Sequence, residues 1–186
     1  MESLELEFRN LQHHPAVDSP PAILCEFTVD TLGDCAAYVK RLRSALSAAV
    51  YSAITADFEE EDLPVDEVPD WLIAIEVEGG RRAPDFAKSG RDAYVSQTGQ
   101  RPWSLQNWLH RFDPEEDSRG WEWWDVTPAG SSCVRIWVDS WGESFFGCLD
   151  LLWVAYAAGA RHVEGPTARR SEDWVAEATA EGFDDV

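Results

Sequence analysis

Residues 29 to 34 read VDTLGD and residues 138 to 143 read VDSWGE. The two hexapeptides match in residue or residue type at every position. Each stands between an apolar run typical of a strand and a helical pattern. In both, a hydroxyl, that of Thr31 or Ser140, is followed three residues later by a carboxylate, which is the capping-box pattern of a helix start. We therefore interpret the hexapeptide as a strand-to-helix turn used twice, and not as an active-site signature.

The patterns around each hexapeptide predict the same order of elements: strand, strand, helix, strand. The second strand of each set leads into the hexapeptide. The other elements are expected at 4–8, 31–56 and 71–78 around the first copy, and at 121–126, 141–158 and 161–164 around the second. The sequence thus predicts a single α+β domain with an internal duplication.

The stretch between the two copies does not repeat, and its periodicity predicts helices near 84–97 and at 103–112. A last helix is expected over 171–181, from a serine to the residue before a glycine. The predicted organisation of the 186-residue chain is repeat unit one at about 1–80, a helical insertion at about 81–118 and repeat unit two at about 119–186.

The charge balance is strongly acidic: 35 Asp and Glu stand against 15 Lys and Arg, a formal charge of −20. Proteins that bind nucleic acid or anionic membranes meet phosphates with basic side chains, so we expect neither as a partner. The sequence has no apolar stretch of transmembrane length, and its acidic start is unlike a secretory signal. We therefore expect a soluble protein of the cytoplasm.

The cysteines show neither a paired metal-binding motif nor the dense spacing of a disulfide scaffold. We expect four reduced, mostly buried thiols: Cys25, Cys35, Cys133 and Cys148. The chain also lacks the phosphate-binding and nucleophile motifs of common enzymes. We assign no catalytic residue, metal or cofactor, and the sequence favours a protein that is not an enzyme.

Two aspartates of the hexapeptides are the exception to this structural interpretation. Asp30 and Asp139 lie at strand ends, where ligands often bind, so a symmetric pair flanking one cleft, with Glu143 beside it, stays open. An enzyme that uses Asp30, Asp139 or Glu143 as a general acid or base is a third hypothesis, supported only by their position.

The acidic residues occur in runs. Residues 57–70 hold eight acidic side chains and no basic one, and residues 113–125 hold six with a single arginine, Arg119. Aromatic residues are interleaved with the second run, and alternation along a strand would point its indoles to both faces. We therefore expect at least one exposed indole beside carboxylates, an arrangement suited to Arg or Lys of a partner. The alternatives are a solvated acidic loop and a covered indole.

These residues define a predicted partner-binding surface. Its members are Glu59, Glu60, Glu61, Asp62, Asp113, Glu115, Glu116, Asp117, Trp121, Glu122, Trp123, Trp124 and Asp125. In general character the chain resembles immunity proteins, small acidic proteins that cover the cationic active site of a bacterial nuclease-type toxin. This resemblance implies a basic protein partner. Whether the acidity serves a partner or only solubility stays open, as does the oligomeric state.

The alternative function is a small-molecule-binding domain with an aromatic and acidic pocket between the two repeats. In element order the predicted duplication resembles the bacterial drug-sensing domains of the gyrase-inhibitor-like group. That resemblance implies a cationic or aromatic ligand.

Overall fold

The centre of the sheet is the strand that ends in the first hexapeptide. In the computed structural model, which describes residues 2–116, 118–143 and 145–180, β1 spans Ile23–Thr31. It pairs antiparallel with β3 (Cys133–Asp139) on one side and with β4 (Ala160–Arg170) on the other. The strand β2 (Glu122–Pro128) adds to β3, so the strand order is β2-β3-β1-β4.

Within the described residues, seven α-helices pack around this sheet. They are α1 (Glu2–Gln12), α2 (Cys35–Thr55), α3 (Asp70–Glu76), α4 (Asp85–Thr98), α5 (Leu105–Leu109), α6 (Leu149–Ala157) and α7 (Ser171–Ala180). Short 3-10 turns, Val77–Gly80 and His110–Phe112, continue α3 and α5. The α+β class is confirmed, as are the last helix and the helices predicted for the insertion.

Both faces of the sheet are covered at β1, β2 and β3, whereas β4 is mostly exposed. Alternate side chains of β1, such as Phe27 and Val29, enter the main core together with apolar residues of α2 and α6. Leu24 of β1 belongs to a second, smaller core, together with Trp124, Trp137 and Trp174. Trp174 belongs to α7, so the last helix seals the face that would otherwise meet solvent. No helix among the described residues is both long and apolar enough to span a membrane.

The first half of the chain lacks two predicted strands. Residues 4–8 lie in α1 and residues 71–76 in α3. The apolar residues at 4–8 alternate as in a strand, but Leu4, Phe8 and Leu11 also follow helical spacing and pack on the core. A continuous apolar run such as 71–78 does not distinguish strand from helix. The predicted strand, strand, helix, strand order is therefore present in the second half but wrong for the first.

The two hexapeptides are similar turns with different continuations. In each, the hydroxyl donates to a carbonyl inside the turn: Thr31 Oγ1 to Gly33 O at 3.0 Å, and Ser140 Oγ to Glu143 O at 2.9 Å. Only the first leads directly into a helix, and the cap of α2 is Asp34, whose carboxylate accepts from Ala37 N at 2.8 Å. The predicted roles of Thr31 and Ser140 as caps are wrong.

The second helix begins later than predicted. Trp141 and Gly142 both have positive φ, 52° and 80°, so the chain cannot enter an α-helix at this point. The helix α6 starts only at Leu149. Residues 141–148, predicted as helix, therefore form a loop, within which Ser144 lies outside the described residues.

Candidate interaction surface

The first acidic run is held on the surface by polar contacts with α5. The backbone N–H of Leu63 donates to Gln106 Oε1 at 2.9 Å, and Gln106 Nε2 donates to Leu63 O at 3.1 Å. Nε2 of His110 lies 3.3 Å from Glu61 O, and the His110 ring packs edge-on against Phe58. These contacts fix the backbone and leave four predicted carboxylates exposed: Glu59, Glu60, Glu61 and Asp62.

The second acidic run begins directly after the 3-10 turn that continues α5. Asp113 follows the 3-10 turn that contains His110, and its carboxylate accepts from Glu115 N at 2.8 Å. Asp113 is half-buried, while Glu115 and Glu116 are exposed; Asp117 lies outside the described residues. Two runs far apart in sequence are thus anchored on one short segment, α5 with its 3-10 turn.

The tryptophans of β2 do not belong to the surface. Trp121, Trp123 and Trp124 are 0 %, 1 % and 7 % exposed. Trp121 donates to the buried carboxylate of Asp150, and Trp124 packs edge-on against Trp174 of α7. The expected exposed indole at 121–124 is wrong, because helices cover both faces of the sheet.

Asp125 is also part of the interior. Its carboxylate lies 3.1 Å from Arg43 Nη2 and 2.9 Å from His14 Nδ1, and it accepts from Trp174 Nε1 at 3.0 Å. Such a fully buried and satisfied carboxylate stabilises the fold and is not accessible to a partner. The prediction that Asp125 contacts a partner is therefore wrong.

The two most exposed aromatic side chains among the described residues lie instead on the loop after β3. Trp141 is 53 % exposed and Phe145 is 95 % exposed; we call these two residues the aromatic turn. The backbone N–H of Trp141 donates to Asp139 Oδ1 at 2.8 Å, which fixes the start of the loop. Trp141 and Phe145 fit the spacing of buried residues on a helix, so the sequence pattern does not show that they are exposed. The glycines at 142 and 147 are the sequence signal against a helix at this position.

The aromatic turn lies beside the second acidic run. A methyl group placed on Gly120 would come within 2.9 Å of Phe146 Cβ, so the loop after β3 packs on this run at Gly120. Glu122, at the start of β2 and in the same run, lies directly opposite Asp139 in the β2–β3 register. The carboxylates on both sides of the aromatic turn thus come from two separate segments of the chain.

Glu122 and Asp139 form a pair of like charges. Both are half-buried, and burial raises the pKa of each carboxyl. The neighbouring Glu7 and Asp139 raise the pKa of Glu122 further, while a hydrogen bond from Ser3 Oγ opposes the shift. Like charges directly opposite on adjacent strands are unfavourable, so a cation near this pair would be stabilised.

The proposed cleft between the two hexapeptides is wrong. Asp30 lies opposite Cys133, whereas Val138, the neighbour of Asp139, lies opposite Cys25. At about 3.4 Å per residue, the two aspartates are at least about 17 Å apart along the sheet. Asp30 therefore shares no cleft with Asp139 or Glu143, because antiparallel pairing places the two hexapeptides at opposite ends of the β1–β3 pair.

Among the described residues, the cysteine, histidine and acidic side chains form no metal site. Within the described ranges, no group of three or more His, Cys, Asp or Glu side chains could hold a metal ion. All four cysteines are free thiols, but only Cys25 is buried; Cys35, Cys133 and Cys148 are half-buried. Burial raises the pKa of Cys148 to about 11, which makes this thiol a poor nucleophile at neutral pH.

Comparison of the chain with protein-family models, with curated proteins and with solved structures finds no match. Only the geometry and charge of the described residues therefore bear on its function.

Proposed function

We propose that this protein is an acidic, non-catalytic binding protein that masks a basic partner protein, in the manner of the immunity protein of a nuclease-type toxin. The observation that carries the proposal is the position of the aromatic turn. Trp141 and Phe145 are strongly exposed next to Asp139 and Glu143, and the loop packs on Gly120 of the second acidic run.

The two parts of this surface have different roles in binding. The exposed carboxylates of the acidic runs attract a basic partner over a long range and accelerate encounter. A large aromatic side chain that becomes buried on binding contributes more to the lifetime of the complex, and removing one often costs 2 kcal/mol or more. The indole face of Trp141 also suits an arginine or lysine side chain of the partner.

The proposal is tested with two variants and a control. The first variant replaces four exposed carboxylates of the acidic runs by glutamine: Glu59, Glu60, Glu115 and Glu116. The second is Trp141→Ala with Phe145→Ala. The control neutralises four exposed carboxylates elsewhere, Asp18, Asp92, Glu164 and Glu172, so its net charge equals that of the first variant.

Proteins cross-linked to the wild type in the source organism are identified, and the binding kinetics of a purified basic candidate are measured. We expect association with the wild type to slow steeply as salt rises past about 0.15 M, where the Debye length is about 8 Å. The first variant should slow association, the second should speed dissociation, and the control should do neither. A partner that is not basic, or association indifferent to salt and to the four carboxylates, would overturn the proposal.

A further inference from the structure

A groove of about 1140 Å³ runs along the outer side of α2. One wall is the end of α1 with the residues after it, and the other is the end of the β2–β3 hairpin. The lining of α2 extends from Asp34 to Tyr51, which at 1.5 Å per residue corresponds to roughly 25 Å. Of the lining residues, Glu67 belongs to the first acidic run, and none belongs to the second run or to the aromatic turn.

The floor of the groove is apolar. Leu11, Val126 and Val134 are buried core residues whose surfaces close its base, and Val39 of α2 is half-buried beside them. On α2 the lining residues near the floor are mostly small, among them Ala36, Ala37 and Ala48. This leaves a long, narrow apolar surface, whose burial by a ligand is favourable in proportion to its area.

The charge of the groove differs from that of the whole chain. Its lining contains Lys40, Arg43, His13 and His14 but only two carboxylates, Asp34 and Glu67, whereas the chain has 35 acidic and 15 basic residues. Asp34 already accepts the capping hydrogen bond of α2. The buried Asp125 lies behind the groove, where it pairs with Arg43 and His14.

Arg43 is held in a fixed position in this lining. Its Nη2 lies 3.1 Å from Asp125, and within the described residues its buried Nε has no hydrogen-bond partner. A buried donor of this kind is normally satisfied by water or by a ligand. Lys40, one turn away on the same helix, is exposed and adds a mobile positive charge.

From the apolar floor and these basic side chains, we propose that the groove binds a single-chain amphipathic anion, an alkyl chain that ends in a carboxylate or a similar oxyanion. The alkyl chain lies along the floor between α1, α2 and the hairpin. The anionic head lies near Lys40 and Arg43, where the ammonium and guanidinium groups neutralise it.

Isothermal titration with monomeric dodecanoate, decanoate and octanoate tests the binding. We expect dodecanoate to bind most tightly and the affinity to fall up to about fourfold for each methylene removed, which corresponds to about 0.8 kcal/mol. Dodecyltrimethylammonium has the same chain with a cationic head and should bind far more weakly. Equal binding of the two head groups, or affinity independent of chain length, would overturn the proposal.

Two pairs of variants and a vesicle-binding assay locate the site. Lys40→Gln should weaken dodecanoate about threefold to fivefold, whereas Lys88→Gln, which removes the only other lysine, should not. Ser44→Trp should fill the groove and abolish binding, whereas Ala176→Trp, on the exposed side of α7, should not. Circular dichroism checks that each variant is folded. Unchanged affinity in Ser44→Trp, or binding to anionic lipid vesicles without binding to monomeric dodecanoate, would overturn the assignment.

Discussion

The carboxylate of Glu7 accepts hydrogen bonds from both terminal nitrogens of Arg119, at 2.6 and 2.7 Å. It also accepts from Trp123 N at 2.8 Å, so this buried carboxylate joins α1 to the edge of the sheet. The guanidinium contacts the rings of both Phe112 and Trp121, 4.4 and 4.9 Å from their centroids. The ion pair and the aromatic rings together fix residues 119–121, which lead into β2.

Glu7→Gln should destabilise the protein by about 3–5 kcal/mol, because it leaves the Arg119 guanidinium buried without a counter-charge. Urea unfolding of the variant and the wild type measures this loss. In the double variant with Glu7→Leu and Arg119→Met, the loss of stability should be well below the sum of the losses measured for Glu7→Leu alone and Arg119→Met alone. A cost below about 1 kcal/mol for Glu7→Gln would mean that the pair does not stabilise the fold.

Asp34→Ala should cost about 1 kcal/mol, since it removes the side-chain cap of α2, whereas Asp34→Ser should largely retain stability. Thermal unfolding compares both with Asp92→Ala, which removes an equal charge from an exposed position on α4. If Asp92→Ala lowered stability as much as Asp34→Ala, the effect would come from charge and not from the cap.

Gly90→Ala should destabilise the packing of α4 on α6 by at least about 1–3 kcal/mol, the usual cost of overpacking. An added Cβ would lie 1.7 Å from Tyr156 O, a backbone atom that cannot rotate away. Gly147→Ala is the control, because a Cβ at that glycine meets nothing within 4 Å. Equal melting temperatures for the two variants would contradict this close helix contact.

Trp141→Ala and Phe145→Ala should each change the free energy of unfolding by no more than about 0.5 kcal/mol, because both side chains are exposed. Trp124→Ala should instead cost about 3–5 kcal/mol, since its indole fills the core under α7. Chemical denaturation of the three variants provides the comparison. If Trp141→Ala lowered the free energy of unfolding as much as Trp124→Ala, the exposed indole would be a packing residue. That result would contradict its assignment to the partner surface.

Glu122→Gln should stabilise the protein at pH 7 and have little effect at pH 3.5. The folded-state pKa of Glu122 is raised, chiefly by burial. A carboxyl with a raised pKa favours the fold below its unfolded value of about 4.5, and this contribution is lost as pH rises through the higher folded pKa. Melting curves of the variant and the wild type across pH 3.5–7 measure the difference, and an equal effect at both ends of this range would contradict the prediction.

The helices α4 and α7 could be predicted closely from the sequence, whereas α1 and α3 were expected as strands and α6 was expected to begin earlier. The α4 and α7 boundaries were expected within one residue of Asp85–Thr98 and Ser171–Ala180, because proline, serine and glycine mark their ends. The strand at 71–78 could not be excluded in the same way, since a short apolar run fits either structure. Its helical form depends on where Leu72 and Ile75 are buried, which is a tertiary property.

Only part of the candidate surface could be predicted from the sequence. The acidic runs are visible in the sequence, but the position of the first run beside the second depends on the contacts of Gln106 and His110 with the first run. Likewise, the burial of Trp124 depends on Trp174, which follows 50 residues later in the sequence. Periodicity records only local neighbours, so it placed the exposed indole in β2 and not at Trp141.

The central position of β1 has a consequence for biosynthesis. This strand is complete once residue 31 has been made, yet both of its partners lie beyond residue 132. A nascent chain therefore carries β1 with two unpaired edges, and α2 with an uncovered apolar face, until residues of β3 and β4 have left the ribosome. Such long-range pairing is slow to form and leaves strand edges open to aggregation. We expect ribosome-bound chains that end before β3 to need chaperone protection, and the sheet to form only after β4 has been made.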